Sequence, residues 1–80
     1  MQIYRKMNTL KILEKIKKKR QQLNYSQEYM ATTLQMKQAN YNKIENGKVT
    51  LTAPLLFRIW ILLELDAEEL LNEVKNSTKS

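Results

Sequence analysis

Apolar positions recur at helical spacing along this 80-residue chain, and caps and stops between them divide it into five predicted helices. In a first helix over 9–23, Ile12, Ile16 and Leu23 share one face with Leu13 at its margin, while Lys11, Lys15, Lys18 and Gln22 point away. Asn24 tolerates the left-handed conformation and suits the position just past the helix end. Ser26 can then accept a free backbone N–H at Glu28 or Tyr29 and open a second helix, whose inner face is Met30, Ala31 and Leu34. A third helix starts at Lys37 or Gln38, turns Tyr41 and Ile44 inward and stops at Asn46-Gly47, where glycine takes positive φ without cost. Thr52 caps a fourth helix and Pro54 sits in its first turn, where the N–H it lacks would be unpaired anyway. Asp66 caps a fifth, with Glu69 placed to complete a capping box. These elements predict an all-α domain over 9–71, with a short arm at 1–8 and a polar, frayed tail at 72–80.

The fourth segment departs from amphipathicity. Leu55, Leu56, Phe57, Ile59, Trp60, Ile61, Leu62 and Leu63 leave only Arg58 plainly polar, and a helix apolar all round is covered on more than one side. One face can pack on the first, second and fifth helices. Leu55, Trp60, Ile61 and Leu62 are the candidates for a second face, covered either by the frayed termini folding back or by a second subunit or other partner.

Composition removes several classes of chemistry. The chain has no Cys and no His, so thiolate metal sites, disulfides and the usual neutral-pH acid/base are absent, and no cofactor or metal is expected. Glu64, Asp66, Glu68, Glu69 and Glu73 are better explained by capping and surface solvation than by a metal or catalytic cluster. With no phosphate-cradling glycine loop either, an enzyme is not expected. Met1 to Leu10 has no apolar secretory core, and the apolar-rich 53–63 is too short to span a bilayer, so a cytoplasmic, nucleoid-associated protein without membrane contact is the expectation. The net charge of +6 is uneven: residues 1–23 carry eight Lys or Arg against Glu14, whereas 58–80 carry five acidic against three basic side chains. Such a basic front suits a protein that turns one side to a polyanion.

The chemistry concentrates in 27–47, which reads as two short helices joined by a tight turn. A helix-turn-helix needs a small residue where its helices touch, and Ala31 fits; it also needs polar groups on the outward face of its second helix. Gln38, Asn42 and Lys43 meet that need, because amides suit adenine N6/N7 and lysine suits guanine O6/N7. Gln27 opens the preceding helix, where its amide and nearby backbone N–H groups favour a phosphate. Tyr41 is expected in the core. Lys17, Lys18, Lys19 and Arg20 are splayed around the first helix by its pitch and supply mainly long-range attraction.

From residue 12 to residue 71 the chain resembles the Cro/repressor (XRE-type) helix-turn-helix family of bacterial and phage regulators. The likeness rests on S-Q-E-x-x-A at 26–31, I-E-N-G-K at 44–48 and D-A-E-E-L-L at 66–71. It implies a compact five-helix bundle whose recognition helix, about 37–45, lies in the major groove of an operator in double-stranded DNA. It further implies base-facing positions at Lys37, Gln38, Ala39, Asn42 and Lys43, phosphate contacts at Gln27, Asn46 and Lys48, and a structural salt bridge between Arg20 and Glu45. The family's paired half-sites imply a homodimer and a repressor. Alternatives are an antitoxin that binds its own promoter and a toxin partner, and an interaction module that keeps the fold without binding DNA. The chain departs from the family in having Asn24 and Gln35 where glycine is usual and Lys37 where Ser or Thr caps. Gln35 would lose roughly 1 kcal/mol at positive φ, and Lys37 cannot accept a hydrogen bond.

Overall fold

A computed structural model describes residues 2–78, with side chains described for 9–73 and 75. Among them are five helices and no strand: α1 Gln2–Gln22, α2 Gln27–Thr33, α3 Gln38–Glu45, α4 Ala53–Leu62 and α5 Ala67–Thr78. The caps are local events that the side chains dictate. Ser26 Oγ accepts from Tyr29 N at 2.9 Å, Thr52 Oγ1 from Leu55 N at 3.4 Å and Asp66 Oδ1 from Glu68 N at 3.0 Å. Lys37 occupies the N-cap of α3 with extended backbone and no side-chain bond, as a residue without an acceptor must.

Four of the helices stop in one way. Asn24, Gln35, Gly47 and Glu64 all have φ between 57° and 71°. Each donates its N–H to the carbonyl three residues back, and the next residue donates to the carbonyl five back, as in Tyr25 N to Arg20 O and Leu65 N to Trp60 O, both 3.0 Å. This is the Schellman closure, which satisfies carbonyls the helix end leaves free. Tyr25, Met36 and Leu65, the residues following three of these stops, pack against the core and lock the turn. A methyl at Gly47 would meet only Leu13 Cδ1 at an ordinary 3.5 Å, so φ, not space, calls for glycine there. Gln35 and Glu64 adopt the same conformation with a Cβ. Gln35→Gly should therefore raise stability by about 1 kcal/mol, less the entropy a glycine adds to the unfolded chain. Urea denaturation would measure the gain, and a loss would mean the turn is unstrained.

Two helices are longer than their polar ends suggested. α1 begins at Gln2, so 2–8 continues the helix where an arm was expected; it holds no Gly or Pro, and Gln, Arg, Lys and Met all favour helix. α5 runs on to Thr78 through the expected frayed tail, and Glu73, in its second turn, reaches Lys15 Nζ at 3.6 Å. The arm's side chains, Met1 and residues 79–80 lie outside the described residues. Glu69 does not close a capping box: its carboxylate binds Lys15 at 2.9 Å instead, tying α5 to α1. That hydrogen bond is the main cause of a raised Lys15 pKa.

The core gathers residues from every helix: Ile12, Leu13 and Ile16, then Met30, Ala31 and Leu34, then Tyr41 and Ile44, then Ile59, Trp60 and Leu63, and Leu70. Leu13, expected at the margin, is buried beneath the turn at Gly47. Trp60 corrects a second expectation. It is 2 % exposed, and its indole N–H donates to Asp66 O at 2.8 Å, so it belongs to the core and not to a partner face. Leu55 and Leu62 are half-buried against the same core, and of the four candidates only Ile61, 76 % exposed, stands outward. Phe57, one turn before it, is also exposed and was not among them. The face is rotated from the expected one because Ile59, Trp60 and Leu63 set the inward direction.

Candidate nucleic-acid interface

α2 and α3 pack through Met30, Ala31, Leu34, Tyr41 and Ile44, all buried. With Tyr41, Ile44 and Glu45 turned inward, the helical pitch leaves Gln38, Asn42 and Asn46 in one exposed row and Ala39 and Lys43 in the next. Gln27, at the start of α2, comes alongside. Gln27, Gln38, Ala39, Asn42, Lys43 and Lys48 line one open concave surface. Lys37 and Asn46 are exposed but do not line it. The two halves of the site therefore come from helices that the turn at Gln35 orients.

Beneath this surface lies a buried ion pair. Arg20 Nε donates to Glu45 Oε2 at 2.6 Å and Nη2 to Oε1 at 3.3 Å, while Nη1 donates to Tyr25 O at 2.7 Å. The pair joins α1 to α3, as the resemblance implied, with side-chain exposures of 10 % and 1 %. The same carboxylate receives Gln27 Nε2 at 3.2 Å. Gln27 Oε1 in turn accepts from Asn42 Nδ2 at 3.1 Å, and Asn42 Oδ1 from Asn46 Nδ2 at 3.1 Å. Sequence reading missed this chain of amides, because Gln27 and Glu45 are 18 positions apart. Only the Asn42–Asn46 link has a spacing, i to i+4, that could have flagged it.

The charge exposed on α3 is positive. Its single carboxylate, Glu45, is turned inward and neutralised by Arg20. Among the described residues no carboxylate forms an ion pair with Lys37, Lys43 or Lys48. Tyr41 is fully buried below, and its hydroxyl finds no partner of hydrogen-bonding geometry among the described residues. Burial first, and then the neighbouring Glu45 carboxylate, raise its pKa far above the phenol range. A raised folded-state pKa means a contribution that is whole below the unfolded value of about 10 and is lost as pH rises past it. Tyr41→Phe should thus be neutral or stabilising by up to about 1 kcal/mol near pH 7, and should flatten the loss of stability above pH ~10. Chemical denaturation at pH 7 and pH 10.5 checks both, and clear destabilisation at pH 7 would show a hydrogen bond the geometry does not.

A model of the helix-turn-helix family, Cro/C1 type, matches residues 16–70. The chain belongs to that family. The match runs from the last third of α1 to the first turn of α5 and includes every residue of the concave surface. Comparison with curated proteins gave no match, and neither did comparison with solved structures. Membership supports a DNA-binding regulator of the XRE/Cro kind, a family of regulatory and not typically enzymatic domains. Among the described residues no helix is long and apolar enough to cross a membrane.

Proposed function

We propose that this helix-turn-helix protein is a sequence-specific transcriptional repressor that lays α3 in the major groove of its operator. One observation carries the reading: α3 exposes amides and lysine along its outer rows while its only acid is buried and paired. Lys43 and Gln38 offer donors and an acceptor to base edges. Lys48, Lys37 and the basic α1 supply phosphate attraction, which sets affinity and makes it salt-dependent. Repression follows in this reading from occupancy alone, because a protein seated in the groove excludes others from the same DNA.

Fluorescence anisotropy against a panel of upstream duplexes tests this. Tight binding to a subset is expected, with a salt slope of several units. Gln38→Ala/Lys43→Ala should weaken the preferred duplex by about 100-fold and random duplexes far less. Equal affinity for all duplexes, unchanged in the variant, would remove α3 as the reader.

The protein acts as a homodimer in this reading, with the exposed Phe57 and Ile61 of α4 as the contact. Ile61→Asp should then sediment as a monomer where the wild type sediments as a dimer. A wild-type monomer would favour the antitoxin alternative, in which a toxin covers the same residues.

A further inference from the structure

We infer that Asn42 and Asn46 are positioning residues: they hold the Gln27 amide in a single orientation, and Glu45 is the origin of that orientation. The inference rests on the DNA-binding reading above and assigns Asn42 a role different from direct base recognition.

A carboxamide has two ends of nearly the same shape, one donating and one accepting, and either can face a neighbour that does both. A neighbour that can only accept breaks the symmetry. Glu45, ion-paired with Arg20, is such a neighbour. Gln27 must turn its NH2 toward Glu45, as it does at 3.2 Å, so its oxygen faces outward toward Asn42. Asn42 can meet that oxygen only with its NH2, at 3.1 Å. Its own oxygen is then left for the NH2 of Asn46, also at 3.1 Å. Donation runs one way, from Asn46 through Asn42 and Gln27 into the buried ion pair.

Two consequences follow for the surface. Each of the three amides retains one N–H, so the row presents donors to an acceptor, which is what a phosphodiester oxygen offers. Both polar atoms of Asn42 are already engaged, whereas Gln38 makes no such bond among the described residues. Gln38 therefore meets bases with its whole amide, and Asn42 acts through Gln27.

The test is a double-mutant cycle with a spectroscopic arm. Gln27→Ala should weaken every duplex by about tenfold, the worth of one charge-assisted contact. Asn42→Ala should weaken every duplex by a smaller factor, and by less than twofold when Gln27 is already Ala. An undiminished loss in the Gln27→Ala background, or a loss confined to one base pair, would overturn the inference. In the free protein, the side-chain NH2 resonances of Gln27 should be dispersed in wild type and shift toward solvent-exposed values in Asn42→Ala, where the amide keeps Glu45 but its oxygen loses Asn42, with Tm nearly unchanged. Unmoved resonances would overturn it without DNA, so its failure is distinguishable from failure of the DNA-binding reading.

Discussion

Arg20→Ala should destabilise the domain by about 3–5 kcal/mol, the usual effect of stranding one member of a buried ion pair. Three bonds vanish together, leaving a carboxylate that is 1 % exposed without its counter-ion and the Tyr25 carbonyl without its donor. A domain of this size has about 4–12 kcal/mol in total, so the variant should be marginal at 37 °C. Arg20→Lys should recover only part of the loss, since one ammonium cannot span both Glu45 oxygens and the carbonyl. Arg20→Met/Glu45→Met should be markedly less harmful than Arg20→Ala, because no charge is left buried. Guanidinium denaturation of the four proteins checks the order. An Arg20→Ala loss below about 1 kcal/mol would mean the pair is effectively solvated.

The second large effect is expected at Trp60. Its truncation to Ala should cost about 3–5 kcal/mol, the range for a buried aromatic, and it also deprives the Asp66 carbonyl of its indole donor. The loss should be independent of protein concentration, whereas an interface residue would show its effect through association. Thermal unfolding at several concentrations separates the two, and Ile61→Ala, on the exposed side of α4, should leave the domain's own stability nearly unchanged.

What could be read from the chain was local. Ser26, Thr52 and Asp66 announce their caps because a short oxygen-bearing side chain there has one obvious use. Asn46-Gly47 announces a stop, and the alternation of Tyr41 and Ile44 with Gln38, Asn42 and Lys43 announces which way α3 faces. Two kinds of fact stayed hidden. The start of α1 and the end of α5 carry no breaker, so polarity alone suggested an arm and a frayed tail where nothing prevents a helix. In α4 an apolar residue stands at nearly every position, so periodicity cannot say which side is inward; the choice falls to packing and to one carbonyl at Asp66. Gln27, Gln38, Ala39, Asn42, Lys43 and Lys48 were legible as residues of the concave surface, but not as carrying a hydrogen-bonded chain. Its links depend on a carboxylate that the sequence brings near only through the fold.

The repeated Schellman stop makes the helices interchangeable in how they end, so their lengths alone decide where each next segment is aimed. One residue added inside α2 would leave its closure at Gln35 free to form, yet rotate everything after it by about 100°. Caps and stops would persist, but Asn42 would part from Gln27 and Glu45 from Arg20, so the amide row and the buried ion pair would be lost together. Length variation would therefore act on the surface and on the core at once, and lineages of this domain should change side chains on α3 far more freely than they change the count of residues between Ser26 and Gly47.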